Sequence, residues 1–286
     1  MIFFNKILKK IKMQEQDIEI DELVSTFHKM NLPEEQPLKI SETITLTFGD
    51  CAENHRGMQE IGEKATIGLT YDDIISIQAF FEHRGSETEL VSLHDASKPE
   101  AYLLIARKGC DAIVNKDKLT SEQMGLKRDK KAFMYGRVVN KIARHNLCFS
   151  DFDQEPDYEN KKGTVVSFDH LPYLSVIRKT LGDVSEKLSN LQCEANYYYD
   201  VAKTYIGFHG DTERKIVVAV RLGKTFPIHF QWFQNSKPVG ELFTRMLNDG
   251  DMYFMSEKTV GFDWKLKKIP TLRHAAGKAS KVVSWK

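Results

Sequence analysis

The sequence predicts an α+β protein whose strands close into a double-stranded β-helix, or jelly-roll, core with flanking helices and an N-terminal α+β extension. Three observations predict it. Apolar runs of strand length crowd the chain beyond residue 195, turn residues separate them at short intervals, and helical spacing is concentrated in the part before them. The 286 residues, 41% hydrophobic and 28% charged with 8 Pro and 17 Gly, suit one large or two modest folded domains. That composition excludes collagen, coiled coil and wholesale disorder.

The elements follow in order. Residues 1–12 read as a short basic amphipathic helix, with lysines after and among the apolar residues, the wrong order for a secretory signal. Residues 18–30 suggest a second helix, and Pro33 and Pro37 an extended connector. Residues 40–48 alternate apolar and polar side chains as a strand does. A polar run between Gly49 and Gly62 holds Asp50, Glu53, Asn54, His55, Arg56 and Gln59, a loop with the density of a functional segment or of a solvated turn. Thr70, with Asp72 and Asp73, caps a helix to about Glu82, and residues 101–106 form a short buried strand. Thr120-Ser121-Glu122-Gln123 reads as a capping box that opens a basic stretch to residue 146. Pro172 starts a helix through Leu188 whose Leu174, Ile177, Leu181, Val184 and Leu188 recur on one face and belong to the core. Strands are expected over 216–222, 227–233 and 251–255, with turns at Gly223, Asn235 and Asn248–Gly250.

Charge and composition narrow the function classes. No run approaches the ~20 apolar residues of a membrane helix. The four cysteines stand at long, unrelated intervals with no CxxC pair, so neither a zinc knuckle nor a secreted disulfide scaffold is expected, and the chain reads as intracellular, cytoplasmic or nuclear. A net charge of +1 hides an asymmetry: residues 1–100 carry 10 Lys and Arg against 19 Asp and Glu, whereas residues 101–286 carry 31 against 21. A basic half of this kind suits a polyanion. Within it Lys127, Lys130, Lys131, Arg137, Lys141 and Arg144 are interleaved with Phe133, Tyr135 and Phe149, the mixture a nucleic-acid groove uses for phosphates and bases. A solvated face over core aromatics is the other reading of the same residues.

The sharpest local pattern is His209-Gly-Asp211. Two residues apart at a strand end point the same way, so an imidazole and a carboxylate can serve one ion. With a distant histidine they would form the facial triad of ferrous sites. His229 reads as a satisfied core or pocket histidine.

The order Asn196-x-Tyr198, His209-x-Asp211, a strand ending Arg221-Leu222-Gly223, a second strand, then Asp251-Met-Tyr-Phe-Met255 resembles the AlkB family of iron(II)- and 2-oxoglutarate-dependent dioxygenases over roughly residues 135–276. The resemblance implies a division into an acidic α+β region of unknown role, 1–110, and a dioxygenase domain, 111–286. It implies Fe(II) on His209 and Asp211 and 2-oxoglutarate near Asn196 and Tyr198. Trp264 stands where the family places its distal histidine, so His274, the only downstream histidine, is expected as third ligand across an insertion at Lys265–Pro270. The distal carboxylate of 2-oxoglutarate has Arg221, Arg273, Lys278 and Lys281 as candidate partners, with Arg221 favoured by its apolar neighbours. The implied activity is oxidation of alkyl groups on nucleic-acid bases with dioxygen as co-substrate. Single-stranded or flipped nucleic acid would lie along Lys130, Lys131, Arg137, Lys141 and Arg144 and the basic tail, with Phe133, Tyr135 and Trp264 as stacking surfaces. A metal-free nucleic-acid-binding or assembly module on the same barrel and a dioxygenase acting on protein remain the alternatives.

Overall fold

The computed structural model describes residue 39 and residues 41–283; the expected helices within residues 1–30 and the connector through Pro37 lie outside them. The strands are β1 Thr43–Gly49, β2 Cys51–Glu53, β3 Glu60–Gly62, β4 Thr88–Ser92, β5 Tyr102–Ala106, β6 Lys131–Met134, β7 Arg137–Asn140 and β8 His145–Ser150. They continue with β9 Val165–Ser167, β10 Gln192–Tyr198, β11 Ile206–His209, β12 Val217–Gly223, β13 Phe226–Gln234, β14 Lys237–Leu247, β15 Met252–Met255 and β16 Thr271–Ala276. The helices are α1 Tyr71–His83, α2 Lys116–Met124, α3 Pro172–Val184, α4 Glu257–Val260 and α5 Ala279–Val282.

This is an α+β protein, mostly sheet. Eight strands form one sheet in the order β4-β5-β15-β12-β1-β10-β8-β9, antiparallel except for β8 and β9. Four more form a second, β11-β16-β13-β14. Strands from either side of residue 110 share the large sheet: β1 lies between β10 and β12, and β5 beside β15. The expected boundary near residue 110 therefore does not divide it, because the alternating segment at 43–49 has its hydrogen-bond partners late in the chain.

Period-two alternation gives the large sheet two unlike faces. One carries Ile44, Leu46, Phe48, Val218, Val220 and Leu222, which pack under Ile74, Ile77 and Phe81 of α1 and Leu174, Ile177 and Leu181 of α3. Thr70 and Asp73 close a capping box at the start of α1, as expected. The other face sends Leu103, Ile105, Val217, Ala219 and Met255 against Ile228, Phe230, Trp232 and Leu272 of the small sheet. A second core thus lies between the sheets.

Two expectations are corrected. The basic stretch is not opened by a cap at Thr120, which lies inside α2 with its hydroxyl bonded to the Lys116 carbonyl; the N-cap is Asn115. It continues as the β6–β7 hairpin, turned by Tyr135 and Gly136 at φ 55° and 76°. The long strand β14 was not expected at all. Asn235 and Ser236, both at positive φ, form the tight turn into it, and Pro238 and a left-handed Gly240 disguise its strand pattern.

Candidate functional site

His209 ends β11 directly opposite His274 on β16, and their rings lie 4.4 Å apart between centroids. Asp211 follows, 8% exposed, with its backbone N–H bonded to the Val260 carbonyl at 3.2 Å. Its Oδ1 is 3.5 Å from His209 Nε2 and 3.6 Å from His274 Nε2. One donor atom from each residue fits within 4.8 Å of the others, the only such cluster of three or more among the described residues. Between His209 and Asp211, only glycine fits at 210: a Cβ there would sit 2.1 Å from the Gly261 carbonyl oxygen and 2.8 Å from Trp264 Cβ. The His209 Nδ1–H donates to the Gly207 carbonyl at 2.8 Å, which turns Nε2 toward Asp211. Burial holds His274 well below the usual imidazole range, aided by His209 and Arg214, so it is neutral and able to ligate.

The donor set fits a divalent cation. Two imidazoles and one carboxylate converge, and two buried carboxylates, Asp211 and Glu194, share the single guanidinium of Arg214 with the half-buried Glu213. Burial, with the repulsion of neighbouring carboxylates, raises both Asp211 and Glu213. A dication would offset that surplus of negative charge.

The expected insertion takes the form of an exposed segment over residues 265–269, after which Thr271 opens β16 and brings His274 to the cluster. Trp264 instead packs on Gly210, with the Arg56 and Arg273 guanidinia over its ring.

A cavity runs from the cluster along the inner face of the large sheet, lined among others by Thr45, Asn196, Tyr198, Arg221 and Tyr253. Arg221 is fully buried. It donates to Thr45 Oγ1, its Nε has no partner, and no carboxylate pairs with it among the described residues. The register explains the grouping, since Thr45 lies between Asn196 on β10 and Arg221 on β12. Asn196 accepts from Arg144 Nε at 2.5 Å and Asn146 Nδ2 at 2.7 Å and donates to Glu194 at 2.9 Å, which leaves one amide hydrogen for the cavity. Tyr198 lines the same wall, 3% exposed.

Other expected site residues lie elsewhere. Arg273, next to His274 on a strand, points to the opposite face, where it stacks on Phe233 at 4.0 Å and donates to the Trp264 carbonyl; it does not reach the cavity. Lys278 and Lys281 flank and enter α5, outside the lining of the cavity. Lys130, Lys131 and Arg137 are exposed on the hairpin with Tyr135, which is 92% exposed at its tip. Lys141 is 7% exposed and spends its ammonium on Asn54 Oδ1 at 2.5 Å, Asn146 Oδ1 at 3.0 Å and the Asn54 carbonyl, so it offers nothing to a phosphate. Arg144 turns inward to Asn196. Phe149 is core, and His229 bridges Thr244 and the Gly277 carbonyl as a satisfied buried histidine. Arg214, Glu194, Thr45 and Tyr253 were not singled out by the sequence. Glu194 meets Arg214 across twenty residues and Thr45 meets Arg221 on another strand, and no local spacing marks them. All four cysteines are buried and free. No described helix is long and apolar enough to cross a membrane.

No family model matches the chain. Over 246 residues it is 50% identical to an uncharacterized protein of Acanthamoeba polyphaga mimivirus, an alignment spanning 84% of this chain and 97% of the viral protein.

Proposed function

The chain belongs to the family of that viral protein, and we propose that it is an iron(II)- and 2-oxoglutarate-dependent dioxygenase of the AlkB kind, on a jelly-roll core, that oxidises alkyl groups on nucleic-acid bases. One observation carries the reading: a His-Asp-His cluster opens into a cavity whose far wall holds a buried guanidinium with no carboxylate partner. A metal centre and an unpaired arginine in one cavity suit a co-substrate that chelates with one end and carries a carboxylate at the other.

His209 Nε2, His274 Nε2 and Asp211 Oδ1 would hold the metal from one side and leave its remaining positions to the cavity. Iron and 2-oxoglutarate, when bound, supply the oxidation of a substrate C–H bond by dioxygen. Arg221 and the Thr45 hydroxyl bind the distal carboxylate of the co-substrate, and the spare amide hydrogen of Asn196 and the Tyr198 hydroxyl orient the rest. Burial of Asp211, His274 and Tyr198 keeps bulk water from the reacting end. A base inside a duplex does not reach so recessed a centre, so the substrate is single-stranded or flipped. The exposed Lys130, Lys131 and Arg137 and the projecting Tyr135 suit its backbone and a stacked base.

Anaerobic titration with ferrous iron, followed by succinate release with alkylated oligonucleotides, tests the reading. Wild-type protein is expected to bind one iron and release succinate, and His209→Ala and Asp211→Ala to do neither while retaining their circular dichroism. Iron affinity unchanged in a protein lacking both side chains rejects the centre, and competition by peptides but not oligonucleotides rejects the nucleic-acid substrate.

A further inference from the structure

Behind Asp211, on the side away from the two imidazoles, lies a cluster of charge. Arg214 is 2% exposed. Its Nη2 donates to Glu194 Oε2 at 2.7 Å and to Glu213 Oε1 at 2.9 Å, and its Nε lies 3.0 Å from the same Glu213 oxygen and 3.5 Å from Asp211 Oδ2. The two oxygens of Asp211 are thus divided: Oδ2 faces the guanidinium and Oδ1 faces both imidazoles. Glu194 reaches the other way as well. Its Oε1 accepts the Asn196 amide at 2.9 Å, and Asn196 lines the cavity beside Arg221.

We propose that Arg214, clamped by Glu194, is a positioning residue that turns Asp211 to present Oδ1 alone to a divalent cation and ties that ligand to the Asn196 wall of the co-substrate cavity. The proposal rests on the metal-binding reading above. A lone carboxylate at this place can rotate, and its negative neighbours Glu194 and Glu213 would push it off the cluster. The guanidinium prevents both. It attracts Oδ2 and neutralises the neighbours, and its planar fork cannot bond Glu194 and face Asp211 in any other orientation of the side chain. A buried arginine kept for stability alone would have one well-matched carboxylate; this one is shared among three and leaves Nη1 without a partner. Outer groups that orient a ligand are worth about 10- to 100-fold in metal affinity.

The test uses the full chain and Mn(II) and Co(II) in place of iron, so that no turnover is needed. Arg214→Lys keeps the charge and loses the fork. It is expected to retain the fold, to bind Mn(II) at least tenfold more weakly, and to shift the visible absorption bands of bound Co(II), which report ligand geometry. Glu194→Gln keeps the size of the clamp and its acceptor for Asn196 but removes the charge that holds Arg214, so a smaller loss with the same spectral shift is expected. If Arg214→Lys does not fold, Glu194→Gln decides alone. Wild-type affinity with an unchanged Co(II) spectrum in a folded variant overturns the positioning role while the metal centre stands. Failure of the wild-type protein to bind either ion overturns both.

Discussion

The two faces of the large sheet are built from the same strands and do opposite things. On β1, Ile44, Leu46 and Phe48 point to the helices and are fully buried, whereas Thr43, Thr45 and Thr47 point to the cavity side. The contrast repeats on β10, where Cys193 and Ala195 alternate with Glu194, Asn196 and Tyr198, and on β12, where Val218 and Val220 alternate with Arg221. A one-residue step at Thr45, Asn196 or Arg221 crosses from apolar packing to polar chemistry. Around the cavity, stability and ligand binding are therefore separable by choice of face, although the same face carries the second core at Val217, Ala219 and Met255.

The largest expected effect tests the apolar face. Phe48→Ala empties a fully buried site and should cost about 3–5 kcal/mol of unfolding free energy in urea, with Mn(II) affinity of the folded fraction unchanged. Loss of affinity in proportion to loss of stability would break the separation.

The polar face has its own stability signature. Lys141 lies over Asn146 at the end of the polar row, and burial pulls its ammonium from 10.5 to about 8. Between these values the unfolded chain holds a proton that the folded protein has released, so stability rises with pH through that window and the full cost of the buried charge is present below it. The rise should come to about 3.5 kcal/mol at most, from about 1.4 kcal/mol per pH unit over that window. Lys141→Gln should flatten the unfolding free energy between pH 8 and 10.5; an unaltered slope places the titration elsewhere.

Arg221→Gln comes next in size. It removes a buried charge that has no carboxylate partner, so the fold is expected to survive while affinity for 2-oxoglutarate, read by calorimetry on Mn(II)-loaded protein, falls at least tenfold. Equal binding would assign the distal carboxylate to another group. The smallest effect lies away from both faces: Lys130→Gln with Lys131→Gln should lower the slope of log affinity against log salt for a single-stranded oligonucleotide by up to about two, and Lys141→Gln should leave it unaltered.

The sequence made parts of this legible for physical reasons. His209 and Asp211 were readable because two residues apart on a strand end must share a side. His274 followed from the resemblance, as the one histidine beyond Trp264, and Arg221 from a charge set among apolar strand neighbours. The HxD pair and Arg221 are local signals. Arg214 and Glu194 meet across twenty residues and two strands, a distance no period records. The basic stretch failed differently. Composition tells how many cations a segment holds but not where they point, so Lys141 and Arg144, turned inward, look the same in sequence as the exposed Lys130 and Lys131. A basic stretch opened by a cap at Thr120 gave no sign of the Tyr135–Gly136 turn, because a tyrosine at positive φ carries no turn signal of its own.

Strand β11 supplies one of the three proposed ligands, yet it is four residues long, stands at the edge of its sheet, and meets β16 in register only at Ile206 and His209. Such a strand frays without global unfolding. Each fraying event would part His209 from His274, so the residence time of a bound ion is governed by local opening of residues 206–209 and not by the strength of the coordinate bonds alone. Amide hydrogens there should exchange quickly in the free protein and slow sharply on loading with Mn(II), while those of β1 and β12, deep in the large sheet, stay unchanged.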